Sequence, residues 1–371
     1  MSGQSEAFEY AGIANHVLFG AGASRGPGFI DAVRALGVSR LLVVAAEAES
    51  GLADRIESLL GGLAVARFSH VLPHVPVEVA EEARAAARGA DADGVLSVGG
   101  GSTTGTAKAI ALESGLPIVA VPTTYAGSEV TPVWGLTEQS RKTTGTDRRV
   151  LPKLVVYDPE LTLTLPPGLS AVSGVNAVAH SAEALWSPRR NPITSLIAEE
   201  SIRALAEGLP AVVADPSSIE ARSQALYGAW LAGTAFANVG SYVHHKICHV
   251  LGGAYNLPHA ETHTVVLPYA ASIAAPRVDG ADARIAGAVT AVAGDGEPRA
   301  SAAAALSELN ERLGAPRSLR ELGLRDDQLD EAVGLVGETL AALPDPFPAP
   351  TVEALVRAAF AGEPFAVAAG G

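Results

Sequence analysis

A parallel α/β domain followed by an all-helical domain is the fold class that this sequence predicts, and three observations predict it. Short β-branched runs alternate with helical patterns from about residue 8 to residue 160. Proline punctuation follows, at Pro159 and then Pro166-Pro167-Gly168. Beyond it strand-like runs nearly vanish and Ala-rich helical patterns take over. A chain of 371 residues is too long for one ordinary core, so the punctuation reads as a boundary between domains over 1–164 and 165–371.

In the first half, residues 41–45, 95–98, 118–121 and 154–157 are continuous apolar runs of the kind that form strands buried on both faces. Between them 26–36, 76–88 and 103–112 read as helices; the second opens with proline and has acidic residues in its first turns. In the second half, helices are expected over 170–186, 192–207, 218–238, 241–252, 279–294, 299–313, 326–342 and 351–361.

Composition narrows the function classes. Twenty-six basic against 40 acidic residues give a net charge of −14, which argues against nucleic acid as a partner. No apolar run reaches the roughly 18 residues of a membrane span, and the start, MSGQSEAFEY, is unlike a signal or transit peptide. The only cysteine is Cys248, so no intrachain disulfide can form and a cytoplasmic location is expected. The 26 basic residues include four lysines, at 108, 142, 153 and 246. In a chain that otherwise uses arginine, these mark candidate contacts to an anion.

Two glycine motifs could meet a phosphate. Gly20-Ala21-Gly22-Ala23-Ser24-Arg25-Gly26 follows a short strand, has no clear acid about 20 residues on, and reads as a turn. Gly99, Gly100, Gly101 and Ser102 are better placed, directly after one predicted strand and before the helix carrying Lys108. There backbone N–H groups and the helix N-terminus can hold a pyrophosphate, making this half a dinucleotide-binding type of domain. A tight βα turn would use the same glycines. After the next strand, Thr123, Thr124 and Ser128 lie in a hydroxyl-rich loop at the carboxyl edge, where open α/β sheets bind ligands. With Lys142 and Lys153 they complete the expected cofactor surface.

Chemistry is expected in the second half. Residues 241–263 hold five of the nine histidines. His245 and His249 are four apart in a helical run, so both imidazoles project from one face, roughly 5 to 6 Å apart at Cβ. His259 follows a break at Pro258 and could return to that face. Asn176 and His180 form a second i, i+4 pair. Such a set can ligate a divalent metal or supply proton donors without one.

The order GGGS at 99–102, PTT at 122–124, SGVNAVAHSAEA at 173–184 and HHKICHVLGGAYNLPHAETH at 244–263 resembles the iron-containing alcohol dehydrogenase superfamily over nearly the whole chain. Longer runs, among them GGGSTTGTAKAIAL and VPTTYAGSEVTPVWGLTE, resemble its maleylacetate-reducing branch. The resemblance implies a dehydroquinate synthase-like fold, NADH or NADPH as cofactor, and a homodimer. The implied reaction is reduction of the conjugated C=C bond of maleylacetate to 3-oxoadipate in aromatic-compound degradation. It further implies His180, His245, His249 and His259 as catalytic residues, with Asn176, Tyr242 and Lys246 on the small dicarboxylate substrate.

The metal-dependent members hold their ion with an aspartate and three histidines, and the matching positions here are Asn176, His180, His245 and His259. A neutral amide is a poorer ligand for Fe²⁺ or Zn²⁺, so metal is expected to be absent, although three imidazoles can hold zinc. A second departure is Gly105, where dehydrogenases of the family commonly carry aspartate. The alternatives are a metal-dependent alcohol dehydrogenase and a lyase like dehydroquinate synthase. At the end of strand 41–45 the chain reads Ala45-Ala46-Glu47, with Ala46 where NAD-dependent relatives carry their specificity aspartate. Both NADH and NADPH are therefore expected to serve, within about tenfold of each other.

Overall fold

The computed structural model describes residues 8, 10, 12, 15–138, 141–292 and 299–364. In chain order the first half runs β1 (His16–Phe19), α1 (Pro27–Ala35), β2 (Leu41–Val44), α2 (Ser50–Leu60), β3 (Ala64–Phe68), α3 (Val77–Gly89), β4 (Gly94–Gly99), α4 (Gly101–Ser114), β5 (Ile118–Pro122), the hairpin β6 (Val133–Glu138) and β7 (Arg141–Thr146), and β8 (Leu154–Tyr157). The second half is helical: α5 (Pro167–Trp186), α6 (Pro192–Ala214), α7 (Ile219–Val239), α8 (Val243–Tyr255), α9 (His259–Ala274), α10 (Ala281–Thr290), α11 (Ala302–Arg312), α12 (Leu329–Ala341) and α13 (Ala349–Ala361).

Six strands pair in the order β1-β8-β5-β4-β2-β3, every pair parallel. Alternation along each strand assigns its side chains to two layers. Leu41, Val43, Leu96 and Val98 pack with Phe29 and Val33 of α1 and Ile56 of α2. Leu42, Val44, Val95 and Ile118 face Val79 and Ala83 of α3 and Ile110 of α4. On β5 and β8 the layering changes, because Ala120, Val155 and Tyr157 join the core of the helical half. The two halves are thus welded along that part of the sheet. Within the helical half α5 is the axis: nearly all its residues are buried, against α6, α7 and α9.

Several elements were not legible in the sequence: α2, β3, the β6–β7 hairpin and α9. Helix α9 was hidden by its prolines. Pro258 is its N-cap rather than a break, and Pro268 lies inside it; burial of Val265, Val266, Leu267 and Ala271 outweighs the local cost of the proline. The first glycine motif is a turn that wraps around an acid of its own chain. Asp158 accepts from the Gly22 and Ser24 N–H groups at 3.0 and 3.1 Å and from the Ser24 hydroxyl at 2.6 Å.

The loop after β5 joins the halves. Gly127 and Gly233 of α7 pack so closely that a Cβ on Gly233 would lie 2.7 Å from the Gly127 carbonyl oxygen. The buried Arg222 of α7 donates to the Tyr125 hydroxyl (3.3 Å), the Ser170 hydroxyl (2.7 Å) and the Leu165 carbonyl (3.0 Å). Lys108 holds the same loop from the sheet side, donating to the carbonyls of Ser128, Thr131 and Val133 at 2.7, 2.8 and 2.7 Å and to the Thr131 hydroxyl at 3.1 Å. Burial pulls its pKa down to about 7, with Glu129 pulling the other way. The reading of Lys108 as an anion contact is therefore corrected: its charge is spent on backbone carbonyls. Gly105 is also explained, since a side chain there would meet Val75 Cγ2 at 2.8 Å.

Removing the Lys108 amine strands three carbonyls, that of Thr131 fully buried and those of Ser128 and Val133 partly so. We expect Lys108→Ala to cost about 3 kcal/mol in chemical denaturation; a loss below about 0.5 kcal/mol would show that the loop holds without it.

Candidate active site

Helix α4 starts at Gly101, so the Gly99-Gly100-Gly101-Ser102 turn presents a helix N-terminus at the carboxyl edge of the sheet. Gly99 has φ of +145°, and a Cβ on it would meet the Thr103 hydroxyl at 2.6 Å. A Cβ on Gly100 would lie 3.0 Å from Thr124 Cγ2, so the turn and the Thr123-Thr124 loop form one continuous surface. Thr123 is buried and donates its hydroxyl to Glu49 at 3.0 Å. Ser128 is half-buried in the same loop. Lys153 does not belong here. It immediately precedes β8, and its N–H donates to the Ile118 carbonyl at the start of β5. It therefore sits at the amino edge, a strand's length from the glycine turn, and the expectation that it contacts the cofactor is corrected. The Lys142 side chain lies outside the described residues.

Across the seam the loop meets the histidines: a Cβ on Gly127 would lie 3.5 Å from His180 Nδ1. The His180 ring stacks on that of His245, centroids 4.9 Å apart and planes at 15°, and both pack on Phe236. His249 lies 5.9 Å from His245, edge to face. His259 reaches the group through His263, whose ring is 4.4 Å from His259 and 4.6 Å from His245. His249 and His259 are exposed, whereas His180 and His245 are buried. Lys246, one residue on from His245, is half-buried and turned about 100° from it around α8. It still lies near enough to Glu183 for its charge to act there. Tyr242, also half-buried, caps the start of α8.

Three site residues escaped the sequence reading. Glu183 is completely buried on α5, and its carboxyl contacts His245 Nδ1 closely and the His245 N–H at 3.4 Å. Its spacing was available, because Asn176, His180 and Glu183 fall at i, i+4 and i+7 of one helix face. His263 repeats the same pattern on α9, four after His259, and went unseen with the helix. Its Nδ1 is 3.0 Å from His244 Nε2, and ring nitrogens of His244, His245 and His263 lie within 4.8 Å of one another.

Burial governs the charge of this cluster. It raises Glu183 to about 8 against nearby backbone N–H donors and Lys246. It lowers His180 to about 4, helped by His249, and His244 to about 3, helped by His180 and His249. His245 and His263 fall well below the ordinary histidine value, first through burial and then through their neighbouring imidazoles. Several buried polar atoms have no hydrogen-bond partner among the described residues: Asn176 Oδ1, His180 Nδ1, His245 Nε2 and His263 Nε2. Unpaired groups at such depth are costly, and their concentration here marks the place where a ligand would supply the missing bonds.

A parallel nucleotide-type sheet, an all-helical half and a histidine-lined seam define a dehydrogenase architecture. The iron-containing alcohol dehydrogenase family matches residues 14–159, and its C-terminal counterpart matches residues 170–360. The chain belongs to this family. It is 48% identical to a maleylacetate reductase of Sphingobium indicum over 346 residues, 93% of this chain and 94% of that one. Its fold is similar to the crystal structure of maleylacetate reductase from Rhizobium sp. strain MTP-10005, with a TM-score of 0.87, 45% identity, and coverage of 96% and 99%. It is also similar to sulfoacetaldehyde reductase from Bifidobacterium kashiwanohense in complex with NAD⁺, with a TM-score of 0.83, 25% identity, and the same coverage.

Proposed function

We propose that this protein uses NADH or NADPH to reduce the conjugated C=C bond of maleylacetate, giving 3-oxoadipate, and that it does so without a metal. The observation that carries the chemical part is the buried contact of Glu183 with His245 Nδ1, which leaves Nε2 without a partner among the described residues. Identity of 44% or more to maleylacetate reductases over nearly the whole chain supports the choice of substrate. We further propose a division near residues 164 and 165 into cofactor and substrate halves, a homodimer, and a cytoplasmic location. No helix among the described residues is long and apolar enough to cross a membrane.

A dihydronicotinamide held at the Gly99–Ser102 turn and the Thr123-Thr124 loop would supply a hydride to the alkene carbon β to the ketone. Negative charge then collects on the ketone oxygen, and a proton must reach the α carbon. Glu183 and His245 together fix what Nε2 can offer. With the pair at zero net charge, a protonated carboxyl donates to Nδ1 and the ring's own proton sits on Nε2. If the proton crosses, the imidazolium carries one on each nitrogen. In both cases Nε2–H is a donor, able to stabilise the enolate oxygen. His249 and His259, at the exposed side, are placed to relay the proton that completes the product. Asn176, Tyr242 and Lys246 are the proposed contacts to the substrate's polar ends. Gly99, Gly100, Gly101, Ser102, Thr123, Thr124 and Ser128 are the proposed cofactor surface.

The residues at the family's metal position do not suit the ion. Asn176 brings no charge, the rings of His180 and His245 lie nearly parallel instead of radiating from one point, and the one carboxyl in the cluster is held behind His245 on Nδ1. The second reading is a zinc-dependent alcohol dehydrogenase, favoured by the close approach of His244, His245 and His263. Oxidation of NADH or NADPH by maleylacetate, assayed with and without chelator, separates the two. Full activity after chelation is expected, and stoichiometric metal whose removal abolishes turnover would refute the metal-free proposal. Asn176→Asp restores a carboxylate and should retain zinc through dialysis where the wild type does not, as read by elemental analysis.

The donor state of His245 sets the pH dependence. Above about 8 the carboxyl ionises, the remaining ring proton moves to Nδ1 to face it, and Nε2 becomes a bare acceptor. Activity should therefore be full below that pH and fall as pH rises through it. The other groups facing the pair are Lys246, His180, His244, His249, His259 and His263, and burial holds His180, His244, His245 and His263 below the ordinary histidine value, away from that range. Glu183→Gln still donates to Nδ1, so it should keep activity within about tenfold while losing the alkaline limb; Glu183→Leu should lose roughly 10- to 100-fold. An unchanged limb in Glu183→Gln would contradict the assignment.

A further inference from the structure

We propose that Glu49 selects NADH over NADPH, an inference that rests on the reductase reading above. Glu49 ends the short 3-10 turn Glu47–Glu49 that follows β2, three residues beyond Ala46. Its Oε1 accepts from the Thr123 hydroxyl, just after β5, at 3.0 Å. Strand β4 lies between β2 and β5 in the sheet, so this bond passes over the carboxyl end of β4, where the Gly99 turn begins.

The position has three properties that a cofactor would feel. First, the carboxylate is fixed: Thr123 is buried and Glu49 is half-buried, whereas Glu47 is exposed on the same turn. Second, one oxygen is spare, since Oε2 has no hydrogen-bond partner among the described residues while Oε1 is satisfied. Third, no cation among the described residues forms an ion pair with it. On the neighbouring strand β3, Arg67 is committed to Glu57 and Asp54.

A spare carboxylate oxygen beside an anion-binding turn can only be tolerated by a ligand that brings hydroxyl donors to it. The adenosine ribose of NADH does so through its 2′ and 3′ hydroxyls. In NADPH the 2′ hydroxyl is replaced by a phosphate that carries up to two negative charges and no guaranteed donor, and like charges in a partly buried site repel strongly. The acid that an NAD-dependent enzyme needs is thus supplied from three residues downstream of the strand-end position and across 74 residues of sequence through Thr123. Inspection of Ala45-Ala46-Glu47 could not show this, and the expectation that both cofactors serve within about tenfold of each other is narrowed to a preference for NADH.

The test is nucleotide binding by the full-length protein without organic substrate, read as quenching of intrinsic fluorescence or enhancement of nucleotide fluorescence. The wild type should bind NADH at least fivefold tighter than NADPH. Glu49→Gln should weaken NADH and tighten NADPH so that the ratio falls below twofold, and Glu49→Ser, a second variant in case the first does not fold, should do the same. A wild-type ratio under fivefold overturns the inference. So does a ratio that stays unchanged in a folded variant, including one that weakens both nucleotides in parallel. Either result leaves the reductase reading standing, whereas failure of both nucleotides to bind the wild type removes that reading and this inference together.

Discussion

A carboxyl buried completely on a helix needs a hydrogen-bond partner within reach, and for Glu183 that partner is the ring of His245. The constraint shapes much of the helical half. Helix α5 has to be buried on nearly every side to keep Glu183 dry, and α8 has to begin at Tyr242 so that His245 faces it. The remaining imidazoles then stack in the space left over. Burial gives the pair its chemistry as well as its place, because it disfavours both an ionised carboxyl and a charged ring. In the proposed mechanism the two groups therefore share protons so that Nε2 carries one at neutral pH.

The seam between the halves brings the proposed cofactor surface and the proposed proton donor to one place. The Tyr125 to Val130 loop is held from one side by Lys108 and from the other by Arg222 and the close Gly127–Gly233 approach. Neither cation is free to bind an anion. Their work is to fix a loop whose Thr123 end meets the glycine turn and whose Gly127 end touches His180. Positioning of this kind is demanding, since displacement of a reacting group by about 1 Å can cost a hundredfold in rate.

Much of the fold was legible because parallel strands buried on both faces are written as continuous apolar runs; β2, β4, β5 and β8 were visible for that reason. Edge strand β3, with Arg67 on it, and helix α2 lack so plain a signal. Helix α9 was obscured by Pro258 and Pro268, and with it went His263. The histidine cluster was legible as a cluster, but its wiring was not. Glu183 looked like one acid in an alanine-rich helix, and its role depends on burial and on a partner 62 residues away. The lysines misled for the same reason: scarcity in the sequence says that a residue is special without saying whether it faces a ligand, like the proposed Lys246, or the protein's own carbonyls, like Lys108.

The destination of the hydride is the most direct test of the proposed conjugate reduction through an enolate on the ketone oxygen. Incubation with NADH carrying deuterium at the transferable C4 position, followed by analysis of the product by NMR, locates it. Deuterium on the carbon β to an intact ketone, in a product with the mass of 3-oxoadipate, is the expected result. Deuterium on a carbinol carbon, with the alkene retained, would mean that the carbonyl itself is reduced and would contradict the mechanism.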